Sequence, residues 1–263
     1  MVAAMTLLSR ISGLIRDIAL AYLFGASVVA DLFFIAFRVP NVFRRLFAEG
    51  AFSQAFVPVL MDYRHRGPVE LKLFLAHLST KFVGILSVVV VLGVVFSAAL
   101  AGLFAPGLLD SPNEFALVTE LLRITFPYLG FISLTAYAGA LFNAHGYFAL
   151  PAITPVMLNL CLIVAAGIAL AGVFEAQPVI IVAWGVMAAG IVQMTMQLPL
   201  LAKLDLMPAP RIGHHEGLAQ VRSLLIPALL ANSVGQINTL INTILASTLI
   251  AGSISWLYYA DRL

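Results

Sequence analysis

Long apolar stretches alternate with short polar breaks along the whole chain. Eight apolar segments are read, at roughly 2–25, 30–62, 71–105, 115–145, 150–173, 177–203, 217–249 and 250 to the end. The first seven are long enough to cross a hydrocarbon core of about 30 Å as helices. The breaks carry the residues that stop helices: Gly25-Ala26-Ser27, Arg66-Gly67-Pro68, Ala105-Pro106-Gly107, His145-Gly146, then the stretches from Glu175 to Pro178 and from Pro208 to Gly213. Backbone polar groups in lipid must be satisfied within the segment, so the pattern predicts an all-α polytopic membrane protein with about eight transmembrane segments. The second, third and fourth segments exceed what a bilayer needs, and tilt, amphipathic extensions or kinks are expected to absorb the surplus. The eighth stops at Leu263, too soon after the turn at Gly252 to span, and is expected to be truncated inside a helix.

Composition agrees with the pattern. Of 263 residues, 62% are hydrophobic and 10% charged, with a mean hydropathy of +1.05; soluble domains are about 25% charged. Cys161 is the only cysteine, which excludes an internal disulfide and a thiolate metal cluster. Arg10, Arg16 and Asp17 interrupt the first apolar run, which argues against a cleaved signal peptide.

The net charge of +2 says little, but its placement sets an orientation. Arg64, Arg66 and Lys72 follow the second segment, and Lys203, Arg211 and Arg222 surround the break after the sixth. The intervening connections are acidic or neutral, with Asp31, then Asp110, Glu114 and Glu120, then Glu175; Arg123 is the exception. Basic loops stay inside, so the N-terminus and the loops near 65 and 210 are expected in the cytoplasm.

Candidate chemistry begins with five arginines and no lysine in the first 45 residues: Arg10, Arg16, Arg38, Arg44 and Arg45. An arginine at mid-membrane costs about 2.5–3.5 kcal/mol on insertion scales. Such residues typically face a water-filled cavity and bind something anionic. The planar guanidinium fork matches pairs of phosphate oxygens, which points to a phosphate- or pyrophosphate-bearing cargo. Three blocks carry the signal. In Arg10-x-x-Gly13-x-x-Arg16-Asp17, Arg10 and Asp17 fall about 20° apart on a helix, with Gly13 and Arg16 in an arc of about 120° beside them. Asp17 would neutralise an arginine when cargo is absent; the competing reading is a purely structural ion pair. The second block runs from Pro40 to Pro58 and includes Asn41, Arg44, Arg45, Glu49 and Gln54. Its Pro and Gly residues mark kinks that free backbone groups; the competing reading is an amphipathic extension whose arginines reach lipid head groups. The third runs from Gly252 to Leu263, with Trp256, Tyr258, Tyr259, Asp261 and Arg262; an aromatic belt is its bland alternative.

Other features carry less. His214-His215 has no third ligand nearby, and His65, His77 and His145 are scattered, so no metal site is expected. Asn232, Gln236, Asn238 and Asn242 read as bonds between helices. No zinc-protease, phosphate-loop or nucleophile-elbow motif occurs, which excludes an ATPase domain in this chain and leaves no catalytic residue to name.

The three blocks resemble those of the MurJ (MviN) family, the lipid II flippases of the bacterial cell envelope. Phe126-Pro127-Tyr128 and Ile241-Asn242-Thr243 extend the likeness along the chain, over roughly the first half of a usual member. The resemblance implies a helical lobe of the multidrug/oligosaccharidyl-lipid/polysaccharide exporter type. Residues 1–216 would form an N-terminal six-helix lobe, and 217–263 the truncated start of a second. It implies Arg10, Arg16, Arg44 and Arg262 as substrate-binding cavity arginines, with Asp17, Asp31, Arg45, Glu49 and Asp261 supporting them. It implies lipid II and membrane lipids as partners, neither cofactor nor nucleic acid, no enzymatic activity, and a multi-pass place in the bacterial cytoplasmic membrane. Against the family pattern, two departures are expected: no basic tip before the first helix and no complete second lobe within these 263 residues.

The competing functions are an exporter of another polyprenyl-linked oligosaccharide or a drug, and a membrane enzyme on polyprenyl phosphates. A drug-cation exporter calls for acids in its cavity. An enzyme calls for clustered acids around a metal or a nucleophile with its base, whereas the acids here are dispersed.

Overall fold

The computed structural model describes residues 2–44, 51–207 and 209–260, and among them the only regular structure is helical. The helices are α1 (Val2–Phe24), α2 (Val28–Arg44), α3 (Ala51–Arg66), α4 (Pro68–Val95), α5 (Ser97–Phe104), α6 (Pro112–Thr125), α7 (Tyr128–Ala144), α8 (Ala149–Leu170), α9 (Pro178–Thr195), α10 (Leu198–Lys203), α11 (Glu216–Ser247) and α12 (Ser253–Ala260). A single 3₁₀ turn, Pro106–Leu108, follows α5.

The surplus length of the third and fourth apolar segments is taken up by breaks, and the sixth is broken as well. Pro127 has no N–H to continue the ladder, and it separates α6 from α7. Phe96 separates α4 from α5, and Met196-Gln197 separates α9 from α10. Prolines open α4, α6 and α9 at their first turns, where a missing N–H does no harm. Five helical runs are long and apolar enough to cross a membrane: Pro68–Val95, Pro112–Ala144, Ala149–Leu170, Pro178–Lys203 and Glu216–Ser247. α1 has a span's length but carries Arg10, Arg16 and Asp17.

Two apolar clusters hold the helices together. The larger centres on α2, whose residues from Ala30 to Phe37 are all buried, with Phe33, Phe34 and Phe37 packed against Leu121, Leu122 and Phe126 of the α6 region and Val182 and Val186 of α9. The smaller joins α3, α4 and α7 through Phe52, Phe56, Tyr63, Phe74, Tyr137 and Phe142. α8 lies between α1 and α9. Its approach to α9 depends on Gly185, where an added Cβ would stand 2.5 Å from the Ala165 methyl. Small residues permit this closeness, and close packing is what associates helices in lipid, where burial against hydrocarbon gives no drive.

Candidate substrate-binding site

α1 turns its Arg16-Asp17 pair inward, against α8 and α12. Arg16 is 4% exposed. Its Nη2 and Nε donate to Asp17 Oδ1 at 2.6 and 2.9 Å, its Nη1 donates to Asn159 Oδ1 on α8 at 2.9 Å, and Nη2 also reaches the Tyr258 hydroxyl on α12 at 3.1 Å. The Tyr258 hydroxyl in turn donates to Asp17 Oδ1 at 3.3 Å. Asn159 completes the net by donating to the Ser9 carbonyl and to Ser12 Oγ. A buried cation, a buried carboxylate and four neutral groups thus join in one network across three helices. Opposite charges at this distance interact strongly where water is scarce, and losing either partner strands the other.

Arg10, one α1 face away, is exposed. It lines a cavity of about 570 Å³ together with Gly13, Arg16, Asp17, Asn159 and Tyr259. Arg44 ends α2 and donates from Nε to Asn41 Oδ1 at 3.1 Å, one turn back. It lines a second cavity of about 760 Å³, whose polar wall includes Tyr128, Thr135, Asn143, Thr154 and Gln193. Pro155 and Leu158 of α8 border both cavities, so the two adjoin across that helix. Arg10 and Arg16 therefore line one cavity and Arg44 its neighbour. Arg38 lies elsewhere on α2 and bonds Thr243 of α11 at 2.9 Å.

Asp31 differs from the expectation that it partners the cavity arginines. Its carboxylate accepts three hydrogen bonds at the start of α12: Gly252 N–H at 2.7 Å, Ser255 N–H at 2.7 Å and Ser255 Oγ–H at 2.5 Å. A carboxylate facing free N–H groups at a helix N-terminus is favoured by both bonding and dipole. The turn that presents these groups needs Gly252, whose φ is +93° and whose Cβ would press on the Ala26 carbonyl. Arg45, Glu49, Asp261 and Arg262 lie outside the described residues.

Residues the sequence reading passed over are the amides of α8, α9 and the α9–α10 break. Asn159, Gln193 and Gln197 are buried in otherwise apolar runs; a lone amide in a spanning helix was the available signal. The His214-His215 pair, read as inert, divides in role. His215 caps α11, its Nδ1 accepting from Gly217 N–H at 3.2 Å. Its ring stands 5.3 Å from that of His77 and 5.2 Å from Tyr63.

The family model for the lipid II flippase MurJ matches residues 20–263. A probable lipid II flippase MurJ of Vibrio cholerae is 46% identical over all of this chain and 51% of its own length. That of Haemophilus influenzae is 43% identical over 98% of this chain and 52% of its own. The lipid II flippase MurJ of Burkholderia cenocepacia is 41% identical over 100% and 52%. A solved structure of a lipid II flippase MurJ in an inward closed conformation superposes with a TM-score of 0.83 at 30% identity, covering 99% of this chain and 53% of that one. The chain spans about half the length of the curated relatives it matches. With its apolar helices and its arginine-bearing cavities, the chain is a multi-pass membrane protein that belongs to the lipid II flippase MurJ family.

Proposed function

We propose that this chain carries the anion-binding part of a flippase that translocates the lipid-linked peptidoglycan precursor, lipid II, across the bacterial cytoplasmic membrane by alternating access. The observation that carries the reading is the pair of adjoining cavities, with Arg10 and Arg16 in one and Arg44 in the other. The head group is a pyrophosphate bearing a disaccharide-pentapeptide, too polar to cross hydrocarbon unaided. Guanidinium groups replace water around the pyrophosphate, while the polyprenyl tail stays in the bilayer. Arg16 reaches the cargo by turning from Asp17 to phosphate oxygens, so its guanidinium stays paired with an anion, while Asp17 keeps the Tyr258 hydroxyl as a donor. Residues 1–216 act as a six-segment lobe in this reading and 217–263 begin its counterpart. Rocking of the two exposes the site to either side in turn. The N-terminus and the loops near 65 and 210 face the cytoplasm. A potential negative inside favours outward movement of anionic cargo, by about 2.3 kcal/mol per charge per 100 mV. Transport, rather than bond chemistry, is the activity.

The test is complementation of a flippase-depleted strain by the full-length protein. Arg16→Ala and Arg44→Ala are expected to fail at normal membrane levels. Arg44→Lys is also expected to fail, because lysine keeps the charge and loses the fork. Normal growth with both alanine variants would remove the arginines from the mechanism.

A further inference from the structure

The larger cavity is polarised in its hydrogen bonding as well as in its charge. Among the described residues that line it, Arg44 is the only charged one. On the wall opposite, on α7, α8, α9 and the α9–α10 break, the donors of Thr135, Thr154, Gln193 and Gln197 are already engaged. Thr135 Oγ1 donates to the Phe131 carbonyl at 2.8 Å and Thr154 Oγ1 to the Leu150 carbonyl at 3.0 Å. Gln193 Nε2 donates to the Thr154 carbonyl at 2.8 Å, and Gln197 Nε2 to Thr154 Oγ1 at 3.5 Å. These bonds fix which end of each amide is oxygen. A flipped Gln193 would set two carbonyls against each other, and a flipped Gln197 would meet a hydroxyl whose proton is already given away.

The amide oxygens that result, Gln193 Oε1 and Gln197 Oε1, are buried and have no hydrogen-bond partner. Their residues are 1% and 0% exposed. Tyr128 stands beside Gln193 without bonding its oxygen. Pro155 adds to the imbalance, since it has no N–H to offer the carbonyl of Pro151, which also lines the cavity. Buried acceptors without donors are disfavoured, and their concentration on one wall calls for an explanation.

We infer that this wall, with Gln193 and Gln197 at its centre and the exposed Asn143 at its mouth, selects cargo by its hydroxyl and amide donors. It would read the sugar, while Arg44 reads the phosphate. Phosphate oxygens are repelled by a row of carbonyls, so the cargo has one orientation: anion toward Arg44, donor-rich group toward α8 and α9. A polyprenyl pyrophosphate without sugar fills the first subsite and leaves the second unsatisfied. The inference rests on the flippase reading above, because it takes the Arg44 cavity as the cargo site.

The experiment compares two ligands on the full-length protein in lipid nanodiscs: lipid II and undecaprenyl pyrophosphate. Gln197→Met is expected to weaken lipid II binding about tenfold, the equivalent of one lost hydrogen bond to a buried acceptor, and Asn143→Leu to weaken it by a smaller factor. Undecaprenyl pyrophosphate should bind them as it binds the wild type. Asn143 is exposed, so its variant does not hinge on refolding of the core. Unchanged lipid II affinity in both variants, or equal weakening of both ligands, would overturn the inference. Arg44→Ala checks the underlying reading separately: it should weaken both ligands, and if it weakens neither, the phosphate assignment fails whatever the glutamine comparison gives.

Discussion

Asp31 and Ser255 are joined twice: the N–H and the hydroxyl of Ser255 both donate to Oδ1 of Asp31, at 2.7 and 2.5 Å. They lie 224 residues apart in sequence. One short helix, α12, is thereby fastened to α2 through its first turn, and its Tyr258 is delivered to Arg16.

Removing the carboxylate should loosen α12 before anything else. Asp31→Ala is expected to cost about 1–2 kcal/mol, the worth of a helix cap with a charge–dipole contribution. Ser255→Ala, which keeps the N–H bond, should cost less. Thermal unfolding of both single variants and the double would measure it. Additive losses would contradict the shared bond, since coupled partners lose the interaction only once.

The Arg16 network makes an asymmetric prediction. Asp17→Ala leaves a buried guanidinium with only neutral partners and should destabilise by about 3–5 kcal/mol. Adding Arg16→Ala should restore part of that loss. If the double variant is less stable than Asp17→Ala alone, the pair is not the electrostatic unit described. Asn159→Leu falls between, at about 1–3 kcal/mol, because it strands one guanidinium nitrogen.

His215 gives a pH dependence. Burial, and then the neighbouring His77, hold its pKa below the usual histidine value, with Glu70 and Glu216 opposing and Arg66 reinforcing the shift. The folded form therefore favours neutral imidazole, and the unfolded chain takes up the proton first. Stability from this site is full above the unfolded value near 6.5 and declines as pH falls through it. Protonated Nδ1 can no longer accept from Gly217 N–H. His215→Asn, which caps without titrating, should flatten the unfolding midpoint between pH 7 and 5; an unchanged slope would exclude the residue.

Topology is tested by single cysteines at positions 66 and 110, both exposed, in a chain with Cys161 replaced. An impermeant reagent added to intact cells should label position 110 and spare position 66. The reverse pattern would invert the assignment made from loop charges.

The helical course was readable because apolar length is a property of local sequence. The breaks were less so: Pro127 is visible as a breaker, yet Phe96 interrupts α4 and α5 with nothing in its side chain to announce it. Asp17 was legible as the neutraliser of an arginine on its helix stripe, where it falls nearest Arg10, and the structure bonds it to Arg16. Their remaining partners, Asn159 and Tyr258, come from helices more than 140 residues away, and an isolated amide does not declare which helix it will meet. Asp31 was legible as an acid of a connection and, by resemblance, as a supporting residue, but not as a cap, since the N–H groups it bonds belong to another segment's first turn. The orphan oxygens of Gln193 and Gln197 were beyond reading, because they follow from where Thr154 directs its own bonds.

The enclosure of α2 has a consequence for biogenesis. A helix buried on every side from Ala30 to Phe37, and carrying Arg38 and Arg44 nearby, has no face addressed to lipid. Its apolar character is matched to its protein neighbours, above all α6 and α9, which emerge from the ribosome later. On delivery to the bilayer it gains less from lipid than α8 or α9, whose runs are more apolar, until those neighbours arrive. Enlarging Ala30 or Ala36 should accordingly show itself first as slow insertion and degradation of the nascent chain, before any defect in the mature protein can be measured.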